Sequence, residues 1–392
     1  MDYDVDMVNK LTISGLALDI FLKHHYKNNV PSISVASFFK NILEGYTGGK
    51  TEVYQPYVEN GYLYDVNSLY PFVALQDMPG LECSVLKFYD KTQNINNLFG
   101  FFKCRIITPE KGYLGLLPVK SKSGLTFPLG TWEGWYFSEE LKFAQENGYQ
   151  ITVLEGYNFN REKDVFKSYI NKVYKFKSNP KNPTQKSMAK SLLNNLLGRF
   201  GINLFKPITR IMDVKEFNRL SQIYKFMSVK NISKTKLIAS YFPQIDKLIA
   251  QSHNLDVRKL AKLDLDKETQ SLSTTSVVIS AAVTAYGRIH LGKLQLEILN
   301  LGGKLIYSDT DSIVTDIKLP SDMVSNHELG KLKLELEIDK GIFIAGKTYA
   351  ILPLNGDARI KAKGVDSTSL TYDDFLSLLH DVGVITAKKS RL

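Results

Sequence analysis

The segment YSDTDSIV at 307–314 sets two carboxylates, Asp309 and Asp311, two positions apart between apolar stretches. The flanking alternation reads as two β-strands joined at a tight polar turn, and side chains two apart on a strand face the same way. Two anions on one face repel unless a cation lies between them. A divalent ion such as Mg²⁺, which takes carboxylate oxygens and is shared with substrate phosphates, meets that need. A plain hairpin turn is the other reading, since Asp, Thr and Ser are turn residues in any case. A second segment, YLYDVNSLYP at 62–71, carries an isolated Asp65 at the end of an apolar strand, followed by Asn67, Ser68, Tyr70 and Pro71. Phosphoryl transfer with two metal ions about 4 Å apart draws carboxylates from separate strands, and Asp65 could supply one of them. A third segment, KSMAKSLLNNLLGRFG at 186–201, places Lys186, Lys190 and Asn194 on one stripe of an apolar helix ending at glycine. Lysines so spaced can hold a triphosphate, or they are the solvated face of an amphipathic core helix.

The elements around these segments are readable from spacing. SGLALDIFLKHHY and ISVASFFKNILEGY within residues 1–50 carry apolar residues at three and four spacing and predict helices. Residues 51–110 read mostly as strands, followed by a Gly- and Pro-marked stretch at 111–135 and a helix from Ser138 to Asn147, with Ser138, Glu139 and Glu140 as its start. Residues 161–200 read as two antiparallel helices broken at Asn179 to Pro183, and a long helix is expected from about Ser271 to Asn300. Between them, 202–270 is charged and weakly patterned, as an inserted region or mobile loop would be. Strand-rich pieces on either side of a helical insert suggest an α+β fold.

With 392 residues and 44% hydrophobic content the chain can bury a core of two or three units. Its net charge of +10 fits a polyanionic partner without choosing among DNA, RNA and an acidic membrane surface. Cys83 and Cys104 are too few for a disulfide framework and match no zinc spacing, which points to a reducing compartment and to two buried small hydrophobes. The acidic start MDYDVDMVNK resembles neither a secretory nor a transit signal, and no apolar run approaches a membrane span of roughly 20 residues. The six histidines show no ligand spacing tied to the other motifs.

In this order the three segments resemble the motifs of the family B DNA polymerases, specifically the protein-primed branch of small phages, adenoviruses and linear mitochondrial plasmids. DVNSLYP is similar to motif A, the lysine helix to motif B and YSDTDS to motif C. YTGG at 46–49 is similar to the YxGG element that touches the template, TAYGR at 284–288 to the TxxGR element and KTY at 347–349 to the KxY element that holds the primer end. FPLGTWEGWYFSEELKFAQENGY at 127–149 resembles the linear-plasmid polymerases between motifs A and B. The pattern departs at Asn195 and Leu197, where the family has Ser and Tyr.

The resemblance implies a family B palm with helical fingers, two inserted regions and an incomplete thumb. The expected division is a connecting segment left after a missing exonuclease domain at 1–50, first palm part at 51–110, first insert at 111–160, fingers at 161–201, second insert at 202–270, second palm part at 271–350 and a truncated thumb at 351–392. It further implies that Asp65 and Asp311 bridge two Mg²⁺ ions, with Mn²⁺ as a substitute and Asp309 as a weaker ligand. Ser68, Leu69, Tyr70, Lys186, Lys190, Asn194 and Gly198 would surround the incoming dNTP, with Tyr70 as a steric gate against a 2′-hydroxyl. Tyr46, Gly48, Gly49, Thr284, Arg288, Lys347 and Tyr349 would contact DNA, and Lys361 and Lys363 form a similar pair that is as readily a solvated strand edge. Expected partners are template and primer DNA, dNTPs and a terminal priming protein, with no membrane, in the mitochondrial matrix as an organelle-encoded protein. A catalytically inactive DNA-binding remnant and a nucleotide–metal protein of unrelated fold are the rival readings. A reverse transcriptase is disfavoured because Thr310 separates the aspartates of the hairpin.

Overall fold

The computed structural model describes residues 5, 12–33, 35–87, 93–110, 114–121, 124–202, 206–245, 249, 252–253, 275–380 and 384–387. The first elements are α1 (Ile13–His24), α2 (Ala36–Gly45), β1 (Thr51–Val53), β2 (Tyr57–Val66), α3 (Leu69–Val73), β3 (Met78–Lys87), β4 (Gly100–Ile107), β5 (Val119–Ser121), β6 (Gly124–Thr126), β7 (Thr131–Phe137), α4 (Ser138–Glu146) and β8 (Gln150–Glu162). Next come α5 (Lys167–Ser178), α6 (Pro183–Phe200), β9 (Ile208–Asp213), α7 (Val214–Leu220), β10 (Tyr224–Asn231), β11 (Lys236–Ile245) and α8 (Val277–Asn300). The described chain closes with β12 (Leu305–Asp309), β13 (Ser312–Thr315), β14 (Leu332–Ala345), β15 (Thr348–Pro353), β16 (Arg359–Lys361) and α9 (Tyr372–Leu379).

An antiparallel sheet in the order β1-β12-β13-β2-β14-β15-β16 carries the segments singled out above. Alternation along β2 divides it between two environments. Tyr64 and Val66 face the large core and join Leu305, Ile313 and Leu332 there with residues of α8. Leu63 faces the other way and joins Tyr307, Val314, Phe343, Tyr349 and Ile351 in a smaller cluster. Helix α8 is apolar on nearly all sides and correspondingly buried. Ser280, Arg288 and Gln295 are its buried polar residues, and Arg288 is the charged one.

The helix pair at 167–200 forms as its sequence demands. Pro183 sits in the first turn of α6, where its missing N–H is not needed, and Asn182 caps the helix by accepting from the Gln185 N–H at 2.8 Å. The Tyr169 hydroxyl of α5 donates to the Leu192 carbonyl of α6 at 3.1 Å, fixing the two helices antiparallel. Leu192, Leu193, Leu196, Leu197 and Phe200 are buried, whereas Lys186, Lys190 and Asn194 stay exposed along the opposite stripe.

Two expectations need correction. The stretch expected as a weakly patterned insert at 202–270 contains a three-stranded sheet, β10-β11-β9, closed over Met212, Leu220, Tyr224, Leu237 and Tyr241. Residues 254–270 of that stretch, and the start expected at Ser271 for the long helix, lie outside the described residues; the helix is described from Val277. The helix α4 does begin at Ser138, with Glu139 and Glu140 in its first turn; Phe137 takes the cap position and the Ser138 hydroxyl accepts from the Gly100 N–H at 3.1 Å. Of the two cysteines only Cys104 is buried; Cys83 is exposed on β3.

Arg288 is the most consequential buried charge. Its guanidinium meets Glu140 of α4 at 2.6 and 2.8 Å, both side chains being 2% exposed, and donates to the Thr47 and Gly48 carbonyls at 2.8 and 3.0 Å. Removing one member of such a pair leaves an uncompensated charge in the interior, which typically costs about 3–5 kcal/mol, whereas replacing both with apolar groups costs far less. Glu140→Leu should therefore lower the unfolding free energy in a denaturant titration by roughly that amount. The double variant Glu140→Leu/Arg288→Met should recover most of the loss, and a double variant as unstable as the single would mean that the pair's value lies elsewhere.

Candidate active site

The β12–β13 hairpin turns through Thr310 and Asp311, with Asp309 paired opposite Ser312. The two aspartates therefore do not share a strand, as their spacing suggested; Asp311 belongs to the turn. Thr310 adopts φ +61°, a left-handed conformation that a β-branched residue reaches only at a cost of order 1–3 kcal/mol. Its N–H donates to the Lys50 carbonyl at 2.7 Å, and its side chain lies against Gly49, where a Cβ would come within 2.7 Å of the Thr310 methyl.

Asp309 is largely buried and already answered. Its Oδ1 accepts from the Lys347 ammonium at 2.5 Å and the Thr51 hydroxyl at 3.0 Å. Asp65 and Asp311 are not answered in this way. The Asp65 strand pairs with Ser312 on one side and Lys333 on the other, and the Val66 N–H donates to the Asp311 carbonyl at 2.7 Å. Burial, then the charges of Asp311 and Glu335, push the Asp65 carboxyl up to about 7 against the opposing pull of Lys190 and Lys333. Burial and the Asp309 charge raise the Asp311 carboxyl too. Both acids line an open cleft of about 480 Å³, together with the apolar Leu63, Tyr307, Val314 and Phe343 and the basic Lys347, Arg359 and Lys361, beside Tyr349.

Glu335 also lines this cleft, a residue that no motif singles out. KLKLELEI reads as an even alternation, but the register of β14 on β2 slips between Leu334 and Leu336, which makes Glu335 the extra residue. Lys177 of α5 was missed as well. Its ammonium reaches the Ser68 hydroxyl, and its pKa is lowered by burial and by Lys190 and Lys186, with Asp65 opposing. A lysine near a helix end reads as solvated from sequence, whereas this one is part-buried against Ser68.

Ser68 holds φ +54° at the start of α3, and Leu69 behind it is buried. The Tyr70 ring packs 3.2 Å from where a Cβ of Gly287 would stand, and burial pushes its phenol up to about 12. Gly198 faces open space on α6, one turn beyond the exposed Asn194. Tyr46 is partly buried and bonded to Ser280, and Gly48 has open space where a Cβ would project. Thr284 turns its hydroxyl back to the Ala281 carbonyl at 3.1 Å, and Arg288 is committed to Glu140 and the Thr47–Gly48 carbonyls instead of being presented at the surface. Lys347 lies in the β14–β15 turn at φ +62°, its N–H donating to the Tyr307 hydroxyl at 2.9 Å. The structure thus gathers Asp65, Asp309, Asp311, Lys347 and Tyr349 around one cleft, and brings Ser68 to Lys177.

Among the described residues no three His, Cys, Asp or Glu side chains are grouped so as to enclose a metal ion. The donor chemistry nevertheless fits Mg²⁺. That ion is usually held by one or two carboxylates, with water and substrate phosphates completing its shell, and Asp65 and Asp311 are two repelling, half-buried carboxylates.

An antiparallel sheet thus presents the paired acids, with the lysine-bearing helical hairpin placing the Lys190 charge on Asp65. Residues 1–293 match the family described as DNA polymerase type B, organellar and viral, and the chain belongs to that family. It is 45% identical over 99% of its length to a probable DNA polymerase of Podospora anserina and 32% identical over 88% to one of Neurospora intermedia. It spans about a third of the length of each, 33% and 34%. Its fold is similar to that of Phi29 DNA polymerase, solved in complex with primer-template DNA and incoming nucleotide, with a TM-score of 0.68 and 18% identity, covering 94% of this chain and 63% of that one.

The raised Asp65 carboxyl has a defined effect on stability without metal. The folded state holds this proton up to about pH 7, whereas the unfolded chain releases it near the ordinary pKa of about 4. Between those values the folded form binds more protons, so stability falls as pH rises through the window. In metal-free buffer Asp65→Asn should flatten that fall and melt at the same temperature as the parent or higher at pH 8, measured by thermal denaturation from pH 4 to 8. A lower melt across the whole range would assign Asp65 a stabilising role.

Proposed function

We propose that the chain is the polymerising part of a DNA-directed DNA polymerase, adding dNTPs to a primer 3′-hydroxyl by two-metal phosphoryl transfer. The observation that carries this reading is the juxtaposition of Asp65, on β2, and Asp311, in the neighbouring β12–β13 turn, in one cleft that Lys347, Arg359 and Lys361 also line. Asp65 and Asp311 would hold the Mg²⁺ ions, which when bound supply charge neutralisation at the triphosphate and a lower pKa for the attacking hydroxyl. Lys347 keeps Asp309 paired and leaves the other two acids to the ligands. Lys186, Lys190 and Lys177 place positive charge on the hairpin for the triphosphate, where catalysis is mostly positioning and electrostatic stabilisation. Ser68, Leu69, Asn194 and Gly198 would complete the nucleotide pocket.

Tyr46, Gly48 and Gly49 would follow the template and Lys347 and Tyr349 the primer end. Arg288 and Thr284 would act on DNA through the Thr47–Gly48 segment that Arg288 holds. The sheet with β14 and β15 would be the palm, α5 and α6 the fingers, and 202–270 an inserted region. The resemblance of its motifs to the protein-primed branch supports replication of a linear DNA element from a terminal protein, and the family's organellar members support a mitochondrial setting. No helix among the described residues is long and apolar enough to cross a membrane.

The test is primer extension by the purified chain with primer-template DNA, Mg²⁺ and four dNTPs. Incorporation is expected from the parent, and Asp311→Asn should lose it by a factor on the order of a thousand or more, since removing one preorganised charge from such a site costs several kcal/mol of transition-state stabilisation. A parent without activity, or an Asp311→Asn variant with normal rates, would remove the reading.

Sugar choice gives a separate check. A ring that blocks a 2′-hydroxyl discriminates by clash, so Tyr70→Val should admit ribonucleotides far more readily while deoxynucleotide use falls only modestly. Unchanged ribonucleotide exclusion, scored as the ratio of kcat/KM for the two sugars, would assign Tyr70 to packing on Gly287 alone.

A further inference from the structure

Lys50 is a buried cation that the proposed chemistry does not use. Its side chain is 3% exposed, and lysine is rarely so enclosed unless paired. The ammonium donates to the Gly115 carbonyl at 2.6 Å, pairs with Glu52 at 3.3 Å and sits over the Phe127 and Tyr54 rings at 4.8 and 5.6 Å from their centroids. Gly115 and Phe127 belong to the region between β4 and β7, remote in sequence from both aspartate segments, and they pack so closely that a Cβ on Gly115 would meet the Phe127 carbonyl at 1.9 Å. Apolar residues could fill this space at lower cost. A lysine there ties one particular length of backbone to one particular place.

That backbone is the segment the catalytic hairpin leans on. The Lys50 carbonyl takes the Thr310 N–H at 2.7 Å, Gly49 before it packs against the Thr310 side chain, and Thr51 after it pairs with Asp309 and donates to its carboxylate at 3.0 Å. Thr310 is the residue held at φ +61°, a conformation that a β-branched residue keeps only where the surrounding structure over-determines it.

We propose that Lys50 is a positioning residue, whose ammonium anchors the 49–51 segment to the Gly115–Phe127 region and thereby holds the strained Thr310 turn, and with it Asp309 and Asp311, in the geometry needed for nucleotide transfer. The proposal rests on the phosphoryl-transfer reading of that turn. Its test therefore has one arm independent of activity. Hydrogen exchange is followed by mass spectrometry in the parent and in Lys50→Met, which keeps the stem and removes the donor. Thr310 should exchange about tenfold faster or more in the variant while the β14–β15 hairpin keeps its protection. Unchanged exchange at Thr310, or equal acceleration through every strand of the sheet, would overturn the proposal.

In the second arm, primer extension by Lys50→Met should show kcat reduced about tenfold, with KM for dNTP and the affinity for primer-template DNA unchanged, because misplacement of reacting groups is felt in the chemical step. Equal kcat in an active parent and the variant would sink it. A parent that never extends primers counts against the polymerase reading alone and leaves exchange to decide on Lys50. Should Lys50→Met fail to fold, Phe127→Leu, which removes the ring over the ammonium and leaves the lysine in place, is read by the same two measurements with the same expectations.

Discussion

The burial and mutual repulsion of Asp65, on β2, and Asp311, in the turn beside it, is the constraint around which the rest of this sheet is arranged. A carboxyl pushed up to about 7 is one the fold would hold more easily protonated. Such an arrangement persists only where surrounding structure over-determines it. Here the determination comes from both directions: β2 is paired along its length with β13 and β14, and the turn carrying Asp311 is held from outside by β1 and the residues before it. The two acids cannot relax apart without breaking ladders that the core behind Tyr64, Val66 and Ile313 stabilises.

Asp309 shows how the same hairpin avoids a third unpaired charge. Three unpaired carboxylates in one cleft would raise one another further. Lys347, itself at positive φ in the adjoining hairpin, takes one of them at 2.5 Å, and Thr51 takes a second bond to the same oxygen. Two residues in left-handed conformations, Thr310 and Lys347, thus lie on adjoining hairpins and converge on a single side chain. Strain collected in this way is what a site that must hold charge in a fixed place would store.

Much of the architecture was legible because it follows from local rules. The Asn179–Pro183 break, the glycine-ended lysine helix and the alternation of YLYDV that turns Asp65 away from Tyr64 and Val66 are decided within a few residues, and the observed elements follow them. The three-stranded sheet at 208–245 was not legible, since β10 carries register shifts and a largely exposed outer face, which erase the period of two. Asp309 and Lys347 lie 38 residues apart, and Glu335 reaches the cleft through a bulge. The commitment of Arg288 to Glu140 spans 148 residues, so spacing could suggest a helix-borne cation but not what it would meet. Long-range pairing of charges is the part of a site that periodicity does not encode.

The Glu140–Arg288 pair also bears on how the site could be built from pieces distant in sequence. Arg288 comes from the buried helix α8, Glu140 from α4 beside a four-stranded sheet in the order β3-β8-β4-β7, and the carbonyls that Arg288 fixes belong to the segment leading into β1. Two residues further along that segment Lys50 reaches back into the Gly115–Phe127 region. The segment 47–51 is therefore clamped at both ends by cations that are buried and hydrogen-bonded, one to its backbone and one from its own side chain. A hydrophobic contact tolerates sliding, because its free energy depends on area and not on direction. Buried charges bonded at 2.6–3.0 Å do not, since losing a partner in the interior costs several kcal/mol. That difference explains why a strand of only three residues, β1, can serve as a fixed edge for the hairpin that presents the acids.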